Sequence, residues 1–408
     1  MGGLGLSARP APRAASPEAP WFAEGRIGFL LPSSQAGRGL EEHLVRGFTL
    51  ALDLARHAGA DLRLELVRQD AGLSPQAALR AAGNLLGTQR ADLVVALAQP
   101  RTTAVLASRF QDADRCLVAV DGGANLVRAD EASPHVFYNT LGQWQANWAL
   151  GRWASQSFQG EGFMVVSGFE AGHDALRTFR LGAEAAGRGE RGFHVPRMPL
   201  REAPEGLAPV EAVDLVRRIG PSYVGLLAGR TDGLEFLKAF QEAGLAGRIP
   251  LVGTPFLAEE ALAAGRGDLL DGFTAAGAWS PAIPSADNRS FLAEYRKAAG
   301  CEASAFAALG FDTGRMLLSA LRASGGQVRL VRGALEQAAW EGPGGRRSMD
   351  PASRVAAGEV HLVRYEQRLG QTRTRLLQQE PGLLNGAFEV DALRQGSRPA
   401  LVNPYPVY

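Results

Sequence analysis

From Arg26 onward, short apolar runs ending in turn residues alternate with segments whose apolar positions recur at helical spacing. No other feature of this chain constrains its fold as tightly. Residues 27–31 (IGFLL) are stopped by Pro32-Ser33-Ser34, which reads as a buried strand breaking into a loop. Leu44, Phe48, Leu52 and Ala55 then mark a helix that Gly59 ends. Leu62, Leu64 and Leu66 alternate as a strand, and Ser74-Pro75 reads as an N-cap with proline at the first helical position, opening a helix to about Leu86. Residues 93–97 are the next strand, a helix starts at Thr102 or Thr103, and the strand at 116–120 ends in Asp121-Gly122-Gly123. The same alternation returns with strands at 163–166, 193–195, 223–227 and 250–252, and helices at 175–186, 209–219 and 234–244. The repetition is architectural, since the two halves share period but not letters. It predicts an α/β fold of two doubly wound parallel-sheet lobes, with right-handed crossovers and helices on both faces of each sheet.

Two lobes need connections, and three segments read as crossings: 137–140, 273–278 and 342–348, the last containing GPGGRR, the strongest loop signal in the chain. The resulting division is a tether at 1–25, a first lobe at 26–138 plus 277–342, a second lobe at 139–276 plus 343–381, and a surface segment at 382–408. A length of 408 residues suits two α/β domains rather than one. The net charge of +1 gives no electrostatic case for nucleic acid or an anionic membrane surface, and no apolar run reaches membrane-spanning length. Residues 1–20, rich in Ala, Pro and Arg, lack the apolar core of an export signal and read as a tether; the segment leaves both an exported and a cytoplasmic protein open. Cys116 and Cys301 sit in no CxxC or Cys/His cluster and read as buried thiols, with a disulfide as the alternative in an oxidising compartment.

The segments IGFLLPSS, GFTLALDLARHAGA, DLVVALAQPRTTAVLAS, VFYNT, VVSGFEAGHDALRTFRLGAEAAG, YVGLLAGRTDGLEFLKAFQEAGL, PLVGTPF, DGFTAAGAWSP and ALGFDTGRMLLSALRASGG occur in an order and with gaps that carry a resemblance. Over about residues 26–366 the chain resembles the leucine/isoleucine/valine-binding and amide-binding branch of type I periplasmic solute-binding proteins. That resemblance implies a three-strand hinge, a ligand cleft between the lobes at the carboxyl ends of the strands, and the permease subunits of an ABC transporter as partners. It implies no cofactor, no metal and no catalysis. The candidate contacts in the first lobe are Ser34, Gln35, Gln99, Arg101, Thr102, Thr103, Asp121, Gly122 and Gly123, with Phe306 from the return segment. Those in the second lobe are Phe169, Ala171, Arg230, Thr231, Thr254, Pro255 and Phe256. Thr102 and Thr103 at a helix start suit a ligand carboxylate, and Gly122 and Gly123 let backbone approach the ligand. Thr102 also reads as a plain N-cap, and Arg101 and Arg230 read equally as carboxylate partners or as solvated surface side chains.

The chain departs from the amino-acid-binding pattern of that branch. Ala171 stands where a tyrosine is usual, Pro255 falls at or beside the carboxylate that would hold a ligand ammonium, and Leu40 lies near the aromatic of the first loop. A buried ammonium without a counter-charge costs several kcal/mol, so an apolar or aromatic acid or amide is expected in place of an ordinary α-amino acid. Asp121 or Glu170 as a substitute charge keeps the amino-acid alternative open.

Enzyme signatures are missing: no GxGxxG follows the first strand, and GxxxxGK[ST], HExxH and GxSxG do not occur. His173 reads as a capping or surface residue, and Trp144, Trp148 and Trp153 as core or lobe contacts. Three functions therefore compete. First is the solute receptor of an ABC importer, periplasmic or lipid-anchored outside the inner membrane; second is a cytoplasmic ligand-sensing regulator; a distant third is an enzyme on a doubly wound fold.

Overall fold

A computed structural model of the protein describes residues 21–32, 39–72, 74–127, 133–167, 174–186, 197–198 and 207–383. The first lobe contains β1 (Phe22–Leu31), α1 (Leu40–His57), β2 (Asp61–Asp70), α2 (Pro75–Leu86), β3 (Leu93–Leu97), α3 (Pro100–Asp112), β4 (Cys116–Val120) and β5 (Val136–Tyr138). Its sheet is parallel throughout, in the order β2-β1-β3-β4-β5. Alternate residues of the apolar strands supply two different cores: Ile27, Phe29, Val95 and Val118 face one way, and Leu30, Val94, Leu117 and Ala119 face the other. A strand buried on both faces has to be apolar continuously, which is why these runs lack the polar alternation of a half-exposed strand. Strand β1 starts at Phe22, five residues before the expected Ile27, because Trp21 packs against the core and Ala23 lies within it.

The chain then crosses to the second lobe, with α4 (Gln143–Ser157), β6 (Gly162–Ser167), α5 (Ala175–Ala185), β7 (Arg197–Met198), α6 (Pro209–Ile219), β8 (Tyr223–Leu227), α7 (Arg230–Glu242), β9 (Leu251–Gly253), α8 (Pro255–Ala263) and β10 (Thr274–Gly277). It returns to the first lobe as α9 (Ala286–Ala299) and α10 (Ala305–Ala323), passes the short α11 (Arg332–Leu335), and enters a small antiparallel sheet of β11 (Ala339–Gly342), β12 (Gly345–Met349) and β13 (Ala356–Gly358). The last described elements, β14 (Val360–Arg368) and β15 (Gln371–Glu380), make an antiparallel hairpin on the second sheet, whose order is β15-β14-β10-β9-β8-β6-β7. The strand expected at 193–195 lies outside the described residues, as do most of 1–25 and 382–408.

In each lobe two helices meet backbone to backbone through glycine. A Cβ on Gly310 of α10 would come 1.9 Å from the Leu44 carbonyl oxygen of α1, and one on Gly47 would come 2.0 Å from that of Ala307. The second lobe repeats the device: Gly182 of α5 faces the Trp148 oxygen of α4, and Gly151 faces that of Phe179, at 1.9 and 2.0 Å from the same hypothetical carbon. Trp144 and Trp148 are buried in this second-lobe core and Trp153 packs against it.

The first and third crossings are tied to one another and to α10. Asn139 Nδ2 donates to Thr313 Oγ1 (2.9 Å), and Arg347 on β12 donates to the Thr140 carbonyl (2.8 Å) and to Asp312 Oδ2 (3.3 Å). Tyr138 N donates to Arg354 O, and His361 on β14 pairs through Nε2 with Gly344 O in the turn between β11 and β12. Met349 and Ala356 belong to the first lobe's core, so the chain rejoins the second sheet at Val360, later than the expected crossing at 342–348. Gly344, Gly345 and the arginines after them read as a loop, yet they turn directly into β12.

Candidate functional site: the gap between the lobes

The carboxyl end of β4 and the amino end of α10, both in the first lobe, meet the amino end of α8 in the second. Thr254 precedes α8, and Pro255 occupies its first turn, where a missing N–H costs nothing. That geometry aims Phe256 of the second lobe at the first. A Cβ on Gly122 would lie 3.7 Å from the Phe256 ring, and the Phe256 and Phe306 ring centroids are 6.2 Å apart at 40°. One turn further along α8, Glu259 Oε1 accepts the backbone N–H of Ala305 at 2.8 Å. Two side chains of one helix therefore hold two successive residues of the opposite lobe. Between Phe256 and the hinge, a partly open space of about 10 Å³ remains, lined by Leu141, Gln143, Pro255, Trp279 and Ala305 among others. A second space of about 30 Å³ lies where the crossings meet, beside Thr140, Ala278, Gly344 and Arg347, room for one or two waters.

The expected contacts divide into three groups. Gly122, Pro255, Phe256 and Phe306 come together at the gap, and Asp121 precedes Gly122 in the chain. Burial pushes the Asp121 carboxyl up to about 6, against the opposing pull of the Gly123 N–H that Oδ1 accepts at 2.7 Å. Gln99, Arg101, Thr102 and Thr103 sit at the start of α3. Gln99, not Thr102, takes the N-cap position, with Pro100 first in the helix. Thr103 is buried with its N–H already bonded to Gln99 O, whereas Gln99 and Arg101 are exposed and Thr102 is half-buried. Thr254 is buried and Thr231 exposed, while Arg230 opens α7 and its side chain is outside the described part, as are Ser34, Gln35, Phe169, Glu170, Ala171 and His173.

Gly123 has a role other than approach to a ligand. Its φ of +68° and the 2.5 Å from a hypothetical Cβ to Gly142 N show that glycine is needed for the turn into the hinge. Leu40 is half-buried against the first core. Cys116 and Cys301 are free, and burial pushes the Cys116 thiol up to about 12, which removes it as a nucleophile near neutral pH.

Sequence reasoning missed two polar groups at the gap. The Gln143 amide is buried beside Gly122, its Oε1 3.6 Å from the hypothetical Gly122 Cβ, and its Nε2 has no hydrogen-bond partner. A buried N–H without an acceptor costs about 1–3 kcal/mol, so this nitrogen is suited to a bound oxygen. Glu259, half-buried, has its carboxyl pushed up to about 7 by burial, opposed by the Ala305 N–H and assisted by the negative charge of Glu260. Among the described residues no cluster of His, Cys, Asp and Glu could hold a metal, and no helix is long and apolar enough to cross a membrane.

Two doubly wound lobes with a gap at the strand ends agree with the match of a family profile: that of the periplasmic binding proteins covers residues 24–370. The chain belongs to this family. A curated relative, Leu/Ile/Val-binding protein homolog 6 of Brucella suis, is 28% identical over 236 residues. That alignment covers 56% of this periplasmic binding protein and 59% of the relative, so the chain matches little more than half of the relative's length. An ABC transporter substrate-binding protein from Sphaerobacter thermophilus superposes with a TM-score of 0.78 at 23% identity, covering 89% of this chain and 98% of the other. A solute binding protein of an ABC transporter from Rhodopseudomonas palustris, solved with 3,4-dihydroxybenzoic acid, superposes with a TM-score of 0.72 at 21% identity, covering 90% and 99%. At these identities the likeness establishes the fold.

Proposed function

We infer that this periplasmic binding protein is the solute receptor of an ABC importer, held in the periplasm or anchored outside the inner membrane, and that its cargo is a small aromatic or apolar acid or amide. The observation that carries the reading is the composition of the gap: Phe256 of one lobe against Gly122 and Phe306 of the other, beside a buried Gln143 Nε2 that lacks an acceptor. With the lobes parted, these aromatic and glycine walls offer two faces for a flat apolar body. On this reading a carboxylate or amide oxygen satisfies Gln143 Nε2, and Asp121, next to Gly122, is the candidate acceptor for a hydroxyl or amide N–H. Pro255 itself brings no charge for a ligand ammonium. The bound 3,4-dihydroxybenzoate of the Rhodopseudomonas neighbour belongs to the same chemical class. Closure around such a cargo selects the conformation that membrane subunits read.

The test is a calorimetric titration with 3,4-dihydroxybenzoate, benzoate and leucine. Binding of the aromatic acids, weakened about tenfold (~1.4 kcal/mol) in Phe256→Ala, is expected from an aromatic contact of ordinary strength. Tight leucine binding with no response to either benzoate overturns the assignment of cargo.

A further inference from the structure

The contact between Glu259 and Ala305 joins two bodies that must separate for a solute to enter. Its donor is the first N–H of α10, a 19-residue helix packed in the first lobe's core, and its acceptor stands on α8 in the second. The amide belongs to the set at a helix start that has no acceptor within its own helix. Ser304 Oγ serves the N–H of Ala307 at 3.2 Å and the Ser304 carbonyl serves that of Ala308, so the N–H of Ala305 finds its acceptor in the other lobe. The apolar half of the same grip, Phe256 on Phe306, is the adjacent residue on one side and one helical turn away on the other.

We propose that Glu259 is a proton-loaded clasp for lobe closure: its carboxyl group crosses the gap to the Ala305 N–H, and it does so preferentially in the protonated, neutral form. Opening the lobes returns the side chain to water, where a carboxyl is ionised above about pH 4.5. Closing them buries it with one N–H for company. Its electrostatic neighbours are Glu260 on its own helix, which disfavours the ion, and Tyr365 on β14, a neutral phenol whose own ionisation Glu259 opposes. The α10 amino end favours the ion, and burial outweighs it, leaving the closed-state carboxyl at about 7. The closed form thus binds a proton that the open form releases between roughly pH 4.5 and 7, so closure strengthens as pH falls through that window and is constant above it.

Hydrogen exchange at single amides tests this without any ligand, so it stands or falls independently of the cargo. Protection of Ala305 is divided by that of Ala307, whose acceptor lies within the same helix turn, after correction for the intrinsic pH dependence of exchange. The ratio is expected to rise about 70-fold from pH 8 to pH 5 in the wild type. Glu259→Gln, a permanent mimic of the neutral acid that keeps the acceptor oxygen, is expected to give the high ratio at every pH. Glu259→Ala, which removes the acceptor, is expected to give the low ratio at every pH. A wild-type slope surviving in Glu259→Gln, or Glu259→Ala matching wild type at pH 5, overturns the proposal.

Discussion

Arg347 and Asp312 form a buried ion pair at the hinge, only 5% and 3% exposed, with Arg347 also holding the Thr140 carbonyl of the first crossing. Even beside the guanidinium, burial pushes the Asp312 carboxyl up to about 6. Because an unfolded chain ionises near 3.8, the native state holds its proton to higher pH, and stability falls as pH rises from about 4 to about 6. Ionising Asp312 at neutral pH therefore costs the fold about 3 kcal/mol. Arg347→Met removes the compensating charge and leaves a buried anion, a change worth about 3–5 kcal/mol at pH 7.5. For lobes of this size that corresponds to a loss of about 10 °C in Tm, read by scanning calorimetry. At pH 5 the orphaned carboxyl is protonated, and the loss should fall to less than about half of that. The double substitution Asp312→Leu with Arg347→Met removes both charges, and its Tm is expected within about 3 °C of wild type. An equal loss for the single variant at pH 5 and 7.5, or a double variant as unstable as the single one, would show that packing or the Thr140 bond matters rather than the charge.

Glycine contacts give a second comparison. Gly310→Ala forces α10 off the Leu44 carbonyl and should cost about 3 kcal/mol, whereas Gly83→Ala, in an open stretch of α2 with only the Arg109 tip at 3.9 Å, should stabilise by about 0.5–1 kcal/mol; thermal unfolding distinguishes them. His361 provides a pH effect of opposite sign to that of Asp312. Burial lowers its pKa, so the unfolded chain takes a proton at about 6.5 that the native imidazole, bonded to Gly344 O and Gln379, refuses. Stability should thus be lost as pH falls below 6.5, and His361→Gln should flatten that acid limb in a series of melting curves.

The parts of the fold visible in the sequence are those set by local period. Residues 27–31, 93–97 and 116–120 are apolar without interruption because both faces of the first sheet are covered; the last two coincide with β3 and β4, and the first shares its end with β1, which begins five residues earlier. Strand β15, QTRTRLLQQE, has no fully buried residue and carries no long apolar run, because it is an edge strand held by its hairpin partner. The sheet β11-β12-β13 was hidden for a related reason: Gly342, Gly344 and Gly345 announce a turn, but the pairing that follows depends on Arg347 reaching Asp312, far away in sequence. Helix α8 did have a signal, since Thr254-Pro255 is the same cap-and-proline pattern that was recognised at Ser74-Pro75.

At the gap, Asp121, Gly122, Phe256 and Phe306 were legible because they follow strand ends or open helices. Gln143 and Glu259 were not: a glutamine in a helix's first turn and a glutamate in a helix read as solvated surface until tertiary structure removes their water. Gly123 was legible as a necessary glycine but for the wrong neighbour, since its crowding comes from Gly142 of its own hinge.

The pairing of α1 with α10 sets an order on synthesis. Leu44, Gly47, Phe48 and Ala51 seal against Ala307, Gly310 and Gly314, residues that emerge from the ribosome only after the entire second sheet except its terminal hairpin. A nascent chain therefore carries an uncovered apolar helix face through most of its translation, and the amino-terminal half has no route to a finished lobe on its own. Truncations ending before α10 should consequently yield chaperone-bound or aggregating fragments rather than a small stable domain.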